Sequence, residues 1–588
     1  MVSKSDTAPS HHSPPQWRVF LDVLIPAFFS SAMVLISCVA FASLIFSGRA
    51  QEFLGAGITI LVIGSIVVGL IYGFNSEYRM LVVQPDDDTA PIYAAMVAAL
   101  ALVLPVSLSA EAFFWHAVIL ILLTTFLTGV TLTALGVFKA GASVEFLPYS
   151  VMGGYFATAG WLLAVGGIQA GTGVELMSLQ HLPNLDSADW IMLLATLMIA
   201  LLLFAVREHK LKNLFLVLAL SLSVGAFYFA LLVFPDAMPE DAVERFTLGD
   251  LQAASNGSGF GLSILESAIS SLRGSDYAFL QSALPSFPII VLLSCVSTLL
   301  TISGLNLLLQ HDAQANRELR RIGSANMVSA FAGGMAAFPS LTLTNLARTM
   351  GAPTTRWFAP ATVGFLALMA WFALPWLGYL PKPVVGGLLL SMGLGFLYEW
   401  LIQARTRYLL HEYLVIPTIL LVAIFFGFLQ GVLIGLLAAT VLFVIKYSQT
   451  QVIRFEGDGR RFRSNVDRNG AQLEILQDHG PSILVIGLQG YLFFGTSGRI
   501  YSRVKELLES RPEVKTILLD FDKVNGVDAS AELNFEKLAQ LVTLKQVYLL
   551  IAGLDQKVLG NLSSTGINLQ DVAYANIFDD IDRALEWH

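Results

Sequence analysis

Long apolar runs separated by short polar breaks fill the first three quarters of the chain, and the pattern changes near residue 450. A helical membrane span needs about 20 consecutive apolar residues. By that measure fourteen spans are expected, at 20–47, 53–74, 84–105, 112–137, 147–169, 188–206, 212–234, 285–310, 323–336, 339–352, 357–378, 383–401, 412–428 and 429–447. Three of them are weak. The run at 84–105 opens on polar residues, and those at 323–336 and 339–352 are short and rich in Gly, Ser and Thr. Short, broken spans in matching places point to the binding site of a transporter. Weak spans at the third and tenth positions fit two inverted repeats of seven spans each.

Past residue 450 the period shortens and strands alternate with helices. "SILVIGLQGYLFFG" (482–495) reads as strands around a turn, and "TSGRIYSRVKELLESR" (496–511) as an amphipathic helix capped by Thr496 or Ser497. "VKTILLDFDKV" (514–524) and "QVYLLIAGL" (546–554) read as buried strands. "SAELNFEKLAQLVTL" (530–544) and "IFDDIDRALEW" (577–587) read as helices. This alternation predicts a small α/β domain. The expected plan is a disordered Pro/Ser-rich tail over 1–17, a transmembrane domain over 18–447, a linker over 448–470 and the α/β domain over 471–588.

Composition supports the membrane reading. The 588 residues are 55% hydrophobic and 13% charged, where a soluble domain averages about a quarter charged. Charge also orients the spans. With the N-terminus in the cytoplasm, the inside loops hold Arg79, Lys139, Arg207, Lys210, Lys212, Arg317, Arg320, Arg321, Arg348, Arg356, Arg405 and Arg407. The outside loops then hold only Arg49, Arg245, Arg273 and Lys382, as the positive-inside rule asks. An even number of spans leaves the α/β domain in the cytoplasm. A net charge of −9 argues against a nucleic-acid partner. Cys38 and Cys295 both lie in apolar segments and read as small buried hydrophobes. No P-loop, nucleophile elbow or metal-ligand cluster is present, so neither an enzyme nor a cofactor is expected. His116, His181 and His411 fall near span ends and are expected at the membrane interface.

The candidate chemistry sits in the weak spans. "VVQPDDDTAPIYAAM" (82–96) places Asp86, Asp87 and Asp88 directly after Pro85. Proline suits a first helical turn. A half-helix starting there aims free backbone N–H groups and a positive dipole end at the membrane midplane. Pro339 stands in the same relation to "SLTLTNLA", where Ser340, Thr342, Thr344 and Asn345 offer hydroxyls and an amide. Ser340 and Thr342 are the best placed of these to face a solute. A plainer reading makes the aspartates an exposed cluster with Asp86 as helix cap, and the hydroxyls helix-packing residues.

Four stretches carry a family likeness: "FLPYSVMGGYFATAGWLLAVGGIQ" (146–169), "NRELRRIGSANMVSAFAGGMAAFPSLTLTNLARTMGA" (316–352), "GYLFFGTSGRIYSRV" and "ILLDFDKVNGVDASA". They resemble, in order, the fifth span, the end of the eighth through the tenth span, and the STAS domain (sulfate transporter and anti-sigma-factor antagonist) of the sulfate permease (SulP, solute carrier 26 type) family. The resemblance implies a core and a gate domain, with substrate between the facing half-helices of spans three and ten. It also implies elevator-type alternating access and a homodimer with cytoplasmic STAS domains. A multi-pass protein of a bacterial inner membrane is expected.

The chain departs from that family at the site itself. Typical anion-carrying members have small neutral residues where Asp86, Asp87 and Asp88 stand. They often carry a basic residue at the position of Leu341, and an acid thought to serve ion coupling at the position of Ser297. Three carboxylates beside a bound sulfate repel it, the more so in low dielectric. Two readings follow. In one the solute is a cation, such as a basic amino acid, a polyamine or Na⁺, held by the aspartates. In the other it is an inorganic anion (sulfate, bicarbonate) or a dicarboxylate, and the aspartates couple H⁺ or Na⁺ to its movement. A third reading is a non-transporting sensor acting through STAS. Against it, the phospho-acceptor position after Asp528 is Ala529, with Ser530 one place on.

Overall fold

The computed structural model describes residues 16–139, 149–173, 186–206, 212–233, 242–249, 251, 262–271, 277–427, 451–528, 531–554 and 575–588, with scattered residues between 430 and 441. The chain divides into two units, Met1–Leu436 and Leu437–His588.

The first unit is helical. Its elements are α1 (Gln16–Ile45), α2 (Leu54–Asn75), β1 (Val83–Pro85), α3 (Ala90–Val103), α4 (Ala110–Val137), α5 (Tyr149–Thr172), α6 (Ser187–Val206), α7 (Lys212–Val233) and α8 (Ser286–Leu309). They continue with α9 (Ala315–Phe331), β2 (Ala337–Pro339), α10 (Leu341–Thr349), α11 (Phe358–Leu377), α12 (Lys382–Leu397) and α13 (Val415–Phe426). A π-helical turn at Tyr398–Gln403 carries α12 on to Arg407. Helical residues between 430 and 441 form α14. Among the described residues seven helices are long and apolar enough to cross a membrane, and α3, α7, α11 and α13 contain shorter apolar helices. With α9, α10 and α14 they make the fourteen spans of a polytopic protein.

The packing repeats after seven helices. α1 packs on α10 as α8 packs on α3, and α2 packs on α11 as α9 packs on α4. α5 packs on its own counterpart α12, and β1 pairs with β2. Each contact maps onto another when the halves are exchanged, as a two-fold repeat requires. Glycines let the α5 and α12 backbones approach: a Cβ on Gly160 would lie 2.9 Å from the Gly393 carbonyl oxygen, and one on Gly386 would lie 2.6 Å from the Gly171 nitrogen. Small residues at such crossings are how helices pack without a hydrophobic drive between them.

The weak spans differ most from the expected boundaries. The ninth begins at Ala315, not 323, because "NRELRR" continues the helix with its arginines on one face and Leu319 and Ile322 buried on the other. The tenth shrinks to the nine residues of α10, preceded by a strand. In the third, Pro85 closes β1 and does not open a helix. The helix starts at Ala90, with Pro91 in its first turn.

The second unit is one five-stranded sheet, ordered β3 (Ile453–Asp458), β4 (Ile483–Leu492), β5 (Thr516–Val527), β6 (Tyr548–Ala552) and β7 (Ala575–Phe578). β3 is antiparallel to β4 and all other neighbours are parallel. Its helices are α15 (Gly470–His479), α16 (Phe494–Ser510), α17 (Glu532–Lys545) and α18 (Ile581–Trp587). Alternate strand residues feed two cores. Ile486, Ile517 and Leu549 pack with Val504 of α16 and Leu538 of α17. Val485, Leu518 and Leu550 pack with Ala584 of α18.

Four expectations are corrected here. Residues 453–458 of the expected linker are strand β3, because the hydrogen-bonding edge of β4 needs a partner. The stretch 482–495 holds one strand with shifts in register, Gly490 taking φ +79°. Neither Thr496 nor Ser497 is the N-cap of α16. The cap is Phe493, whose N–H donates to Thr496 Oγ1 at 2.9 Å from within the first turn. The last helix starts at Ile581, since Ala575–Phe578 extends the sheet beside β6.

Candidate substrate site

β1 and β2 pair antiparallel, with Val83 opposite Pro339, Gln84 opposite Phe338 and Pro85 opposite Ala337. Each strand leads to a short helix, so the N-terminal ends of α3 and α10 face each other across the pair, with positive dipole ends inward. Asp86 lies one residue beyond one end of the pairing and Ser340 one beyond the other. That separates them by about 13 Å along the strands, from a rise of ~3.3 Å per residue.

Irregular backbone at membrane depth must have its polar groups satisfied by protein. Asn326 of α9, fully buried, accepts the Ala337 N–H at 2.9 Å and donates to the Ala337 carbonyl at 3.1 Å. Thr125 Oγ1 accepts the Ala336 N–H, and Ser329 Oγ donates to the Met335 carbonyl. On the other strand the Ser340 N–H donates to the Val82 carbonyl at 2.8 Å, and the Val82 N–H donates to Thr344 Oγ1 at 3.1 Å. Thr344 thus supports the backbone of the strand pair. Thr344→Val is expected to cost about 1–3 kcal/mol, the penalty for orphaning a buried donor. A thermal unfolding series on the purified protein checks this, and a variant as stable as the parent would refute it.

The three aspartates form one cluster, each offering a carboxylate oxygen within 4.8 Å of the others. Asp86 and Asp88 are buried, and Asp87 is half-buried. Ser294 Oγ donates to Asp86 Oδ2 at 3.4 Å, and Ser297 Oγ donates to Asp88. Both serines stand on α8, three residues apart, so they share one face. The Asp88 N–H turns back to Asp86 Oδ1 at 3.2 Å. Among the described residues no Lys or Arg pairs with the three carboxylates. Nearby, the buried hydroxyls of Tyr93 on α3 and Thr298 on α8 lack a hydrogen-bond partner. The reading of Asp86 as an exposed cap is overturned: it is 3% exposed, and Thr89 is the N-cap of α3.

At the other end Ser340 caps α10, its Oγ accepting the Leu343 N–H at 3.3 Å. Thr342 is exposed and Asn345 half-buried. Leu341 leans on α8, where a Cβ on Gly304 would lie 2.6 Å from its Cδ2. The structure thus joins Asp86, Asp87, Asp88 and Ser297, and holds Ser340 and Thr344 at the far end of the strand pair.

Two residues were not singled out by sequence. Ser294 repeats Ser297 at helical spacing in an apolar helix, which is a usable signal. Glu399 lies in the π turn after α12. A lone acid inside a span is a functional marker by default, and π turns recur at functional sites. His116 is buried near the start of α4, its Nδ1 2.6 Å from the Ala112 carbonyl and its ring edge-on to Phe279. His411 is exposed, and His181 lies outside the described residues. In the soluble unit the Asp528 N–H donates to the Leu492 carbonyl at 2.8 Å, while Ser530 lies outside the described residues.

Sequence models of the sulfate permease family and of the STAS domain match residues 50–415 and 474–584. The vacuolar basic amino acid transporter VSB1 of Saccharomyces cerevisiae is 25% identical over 79% of this chain and 45% of its own length, so the chain spans about half of that relative. The putative sulfate transporter YvdB of Bacillus subtilis is 22% identical over 79% of this chain and 82% of its own. Among solved structures, the murine Slc26a9 anion transporter in the inward-facing state superposes with a TM-score of 0.69 at 16% identity, covering 99% of this chain and 96% of its own. The transmembrane domain of the cyanobacterial bicarbonate transporter BicA gives 0.52 at 18% identity, over 72% and 98%.

Proposed function

The chain belongs to the sulfate permease family, and on that premise we propose that it is a secondary transporter of a small cationic solute, a basic amino acid before a polyamine. The observation that carries this reading is the cluster of three carboxylates within 4.8 Å, with no basic side chain paired to it among the described residues. In a low-dielectric site such a cluster favours a cation strongly. The opposing N-terminus of α10 presents helix-end N–H groups, which suit a carboxylate. An amino acid with a basic side chain carries both charges, and a polyamine carries only one. The yeast relative VSB1 is a basic amino acid transporter, the same substrate class.

The second reading keeps an inorganic anion or dicarboxylate at the α10 end, with the aspartates carrying H⁺ or Na⁺. The helix N-terminus favours it, as does the likeness to the putative sulfate transporter YvdB and to the murine Slc26a9 anion transporter. In both readings the solute lies between α3 and α10, and the core carrying them moves against the α5–α12 gate. A homodimer, a cytoplasmic N-terminus and STAS domain, and a bacterial inner membrane belong to this proposal. The test is uptake into proteoliposomes of labelled arginine, lysine and putrescine against sulfate, bicarbonate and succinate, each with and without a pH gradient. Arginine is expected to accumulate, lysine to compete and sulfate to be ignored. Sulfate uptake without arginine uptake would reverse the assignment.

A further inference from the structure

The soluble unit holds a cavity of about 360 Å³ at the end of the sheet where β4 and β5 begin. Arg463, Arg468, Lys515, His479 and His588 line it, and none of the fourteen lining residues is acidic. Apolar surface from Phe462, Ile475 and Leu585 completes the lining. The walls are a built structure. The Gly459 N–H donates to the Gly480 carbonyl, and Arg460 Nε donates to the Gln477 carbonyl, both at 2.9 Å. The Asn465 N–H donates to Asp582 on α18 at 2.7 Å. Arg468 is anchored to its own loop, Nη2 donating to Ser464 Oγ at 2.8 Å and Nη1 to the Ser464 and Val466 carbonyls at 3.3 Å. Phe462 stacks on Phe455 with ring centroids 4.8 Å apart. The cavity is separate from the Asp528 motif: Lys515 precedes the first residue of β5, and Asp528 follows its last.

Cationic groups converging on one concavity repel each other until an anion joins them. Guanidinium groups fit phosphate with two parallel hydrogen bonds, and lysine adds a point charge. A volume of a few hundred Å³ with an apolar wall is the ordinary form of a small-molecule site. We propose that this cavity binds a phosphate-bearing organic ligand, its phosphate on Arg463, Arg468 and Lys515 and its less polar part on Phe462, Ile475 and Leu585. The phosphate has two natural sources, a soluble nucleotide or an anionic phospholipid headgroup.

The full chain, purified in detergent, separates them by native mass spectrometry with ATP, AMP, phosphatidylglycerol and, as the phosphate-free control, adenosine. One equivalent per chain of either the nucleotides or the lipid is expected, with no adenosine. Arg463→Glu and Lys515→Glu are each expected to weaken that binding at least tenfold, and Arg463→Lys to retain most of it. Both side chains are exposed, so the reversals leave folding intact. Gel filtration and the transport assay confirm that for each variant. Absence of binding by every phosphate compound overturns the proposal, as does undiminished binding in both reversal variants. Neither result bears on the transported solute.

Discussion

Asp87→Asn is expected to lower the transport rate about a hundredfold or more while the protein still reaches the membrane and purifies as the parent does. Asp86 and Asp88 are buried and each takes a serine hydroxyl from α8, whereas Asp87 is the half-buried member of the cluster. Of the three carboxylates it is the least buried, which singles it out for this substitution. Removing one partner of a desolvated charge pair costs about 3–5 kcal/mol, and each 1.4 kcal/mol is a factor of about ten. Asp87→Glu keeps the charge and is expected to recover part of the rate. Initial rates of arginine uptake, with surface expression measured alongside, make the comparison. Parental rates in all three single Asp→Asn variants would end the claim that this cluster is the working site.

Glu318→Ala is expected to have the largest effect on stability. Glu318 is fully buried on α9. It accepts the Ser76 hydroxyl at 2.7 Å and the Glu77 N–H at 3.1 Å, and it pairs with Arg321. Arg321 also reaches Glu77 at 3.3 Å, as Arg317 does at 3.5 Å. The network ties the end of α2 to α9. Truncating the acid orphans two donors and leaves Arg321 with Glu77 alone, at about 3–5 kcal/mol. Glu318→Gln keeps an acceptor and should fall between. Denaturation monitored by size-exclusion fluorescence reads the series, and a Glu318→Ala protein as robust as the parent would refute the role.

Much of the fold was legible because its signals are local. Fourteen apolar runs, the weak third and tenth among them, mark the spans and the break in each half. The strand pair was not legible. Val83–Pro85 and Ala337–Pro339 are too short for any period to register, and their pairing is made by contacts some 250 residues apart. The same holds for Asn326, which looks like any polar residue in a helix until its two bonds to Ala337 are seen. At the site, the acids announced themselves by being charged in an apolar run. Thr344 did not announce that its hydroxyl serves the backbone of Val82. Nor does the sequence mark Glu399, because the π turn that carries it has no local signal.

The prolines of the strand pair have one more consequence. Pro85 and Pro339 sit at opposite ends of a ladder three residues long, and neither has an N–H with which to extend it. Each proline therefore removes a donor at its end of the ladder, and the one bond beyond Pro339 comes from the Ser340 N–H to the Val82 carbonyl. The offset between the acidic end and the α10 end, about 13 Å along the strands, is thus set by six residues of backbone. On the transport proposal, a solute that spans both ends is gauged for length as well as charge.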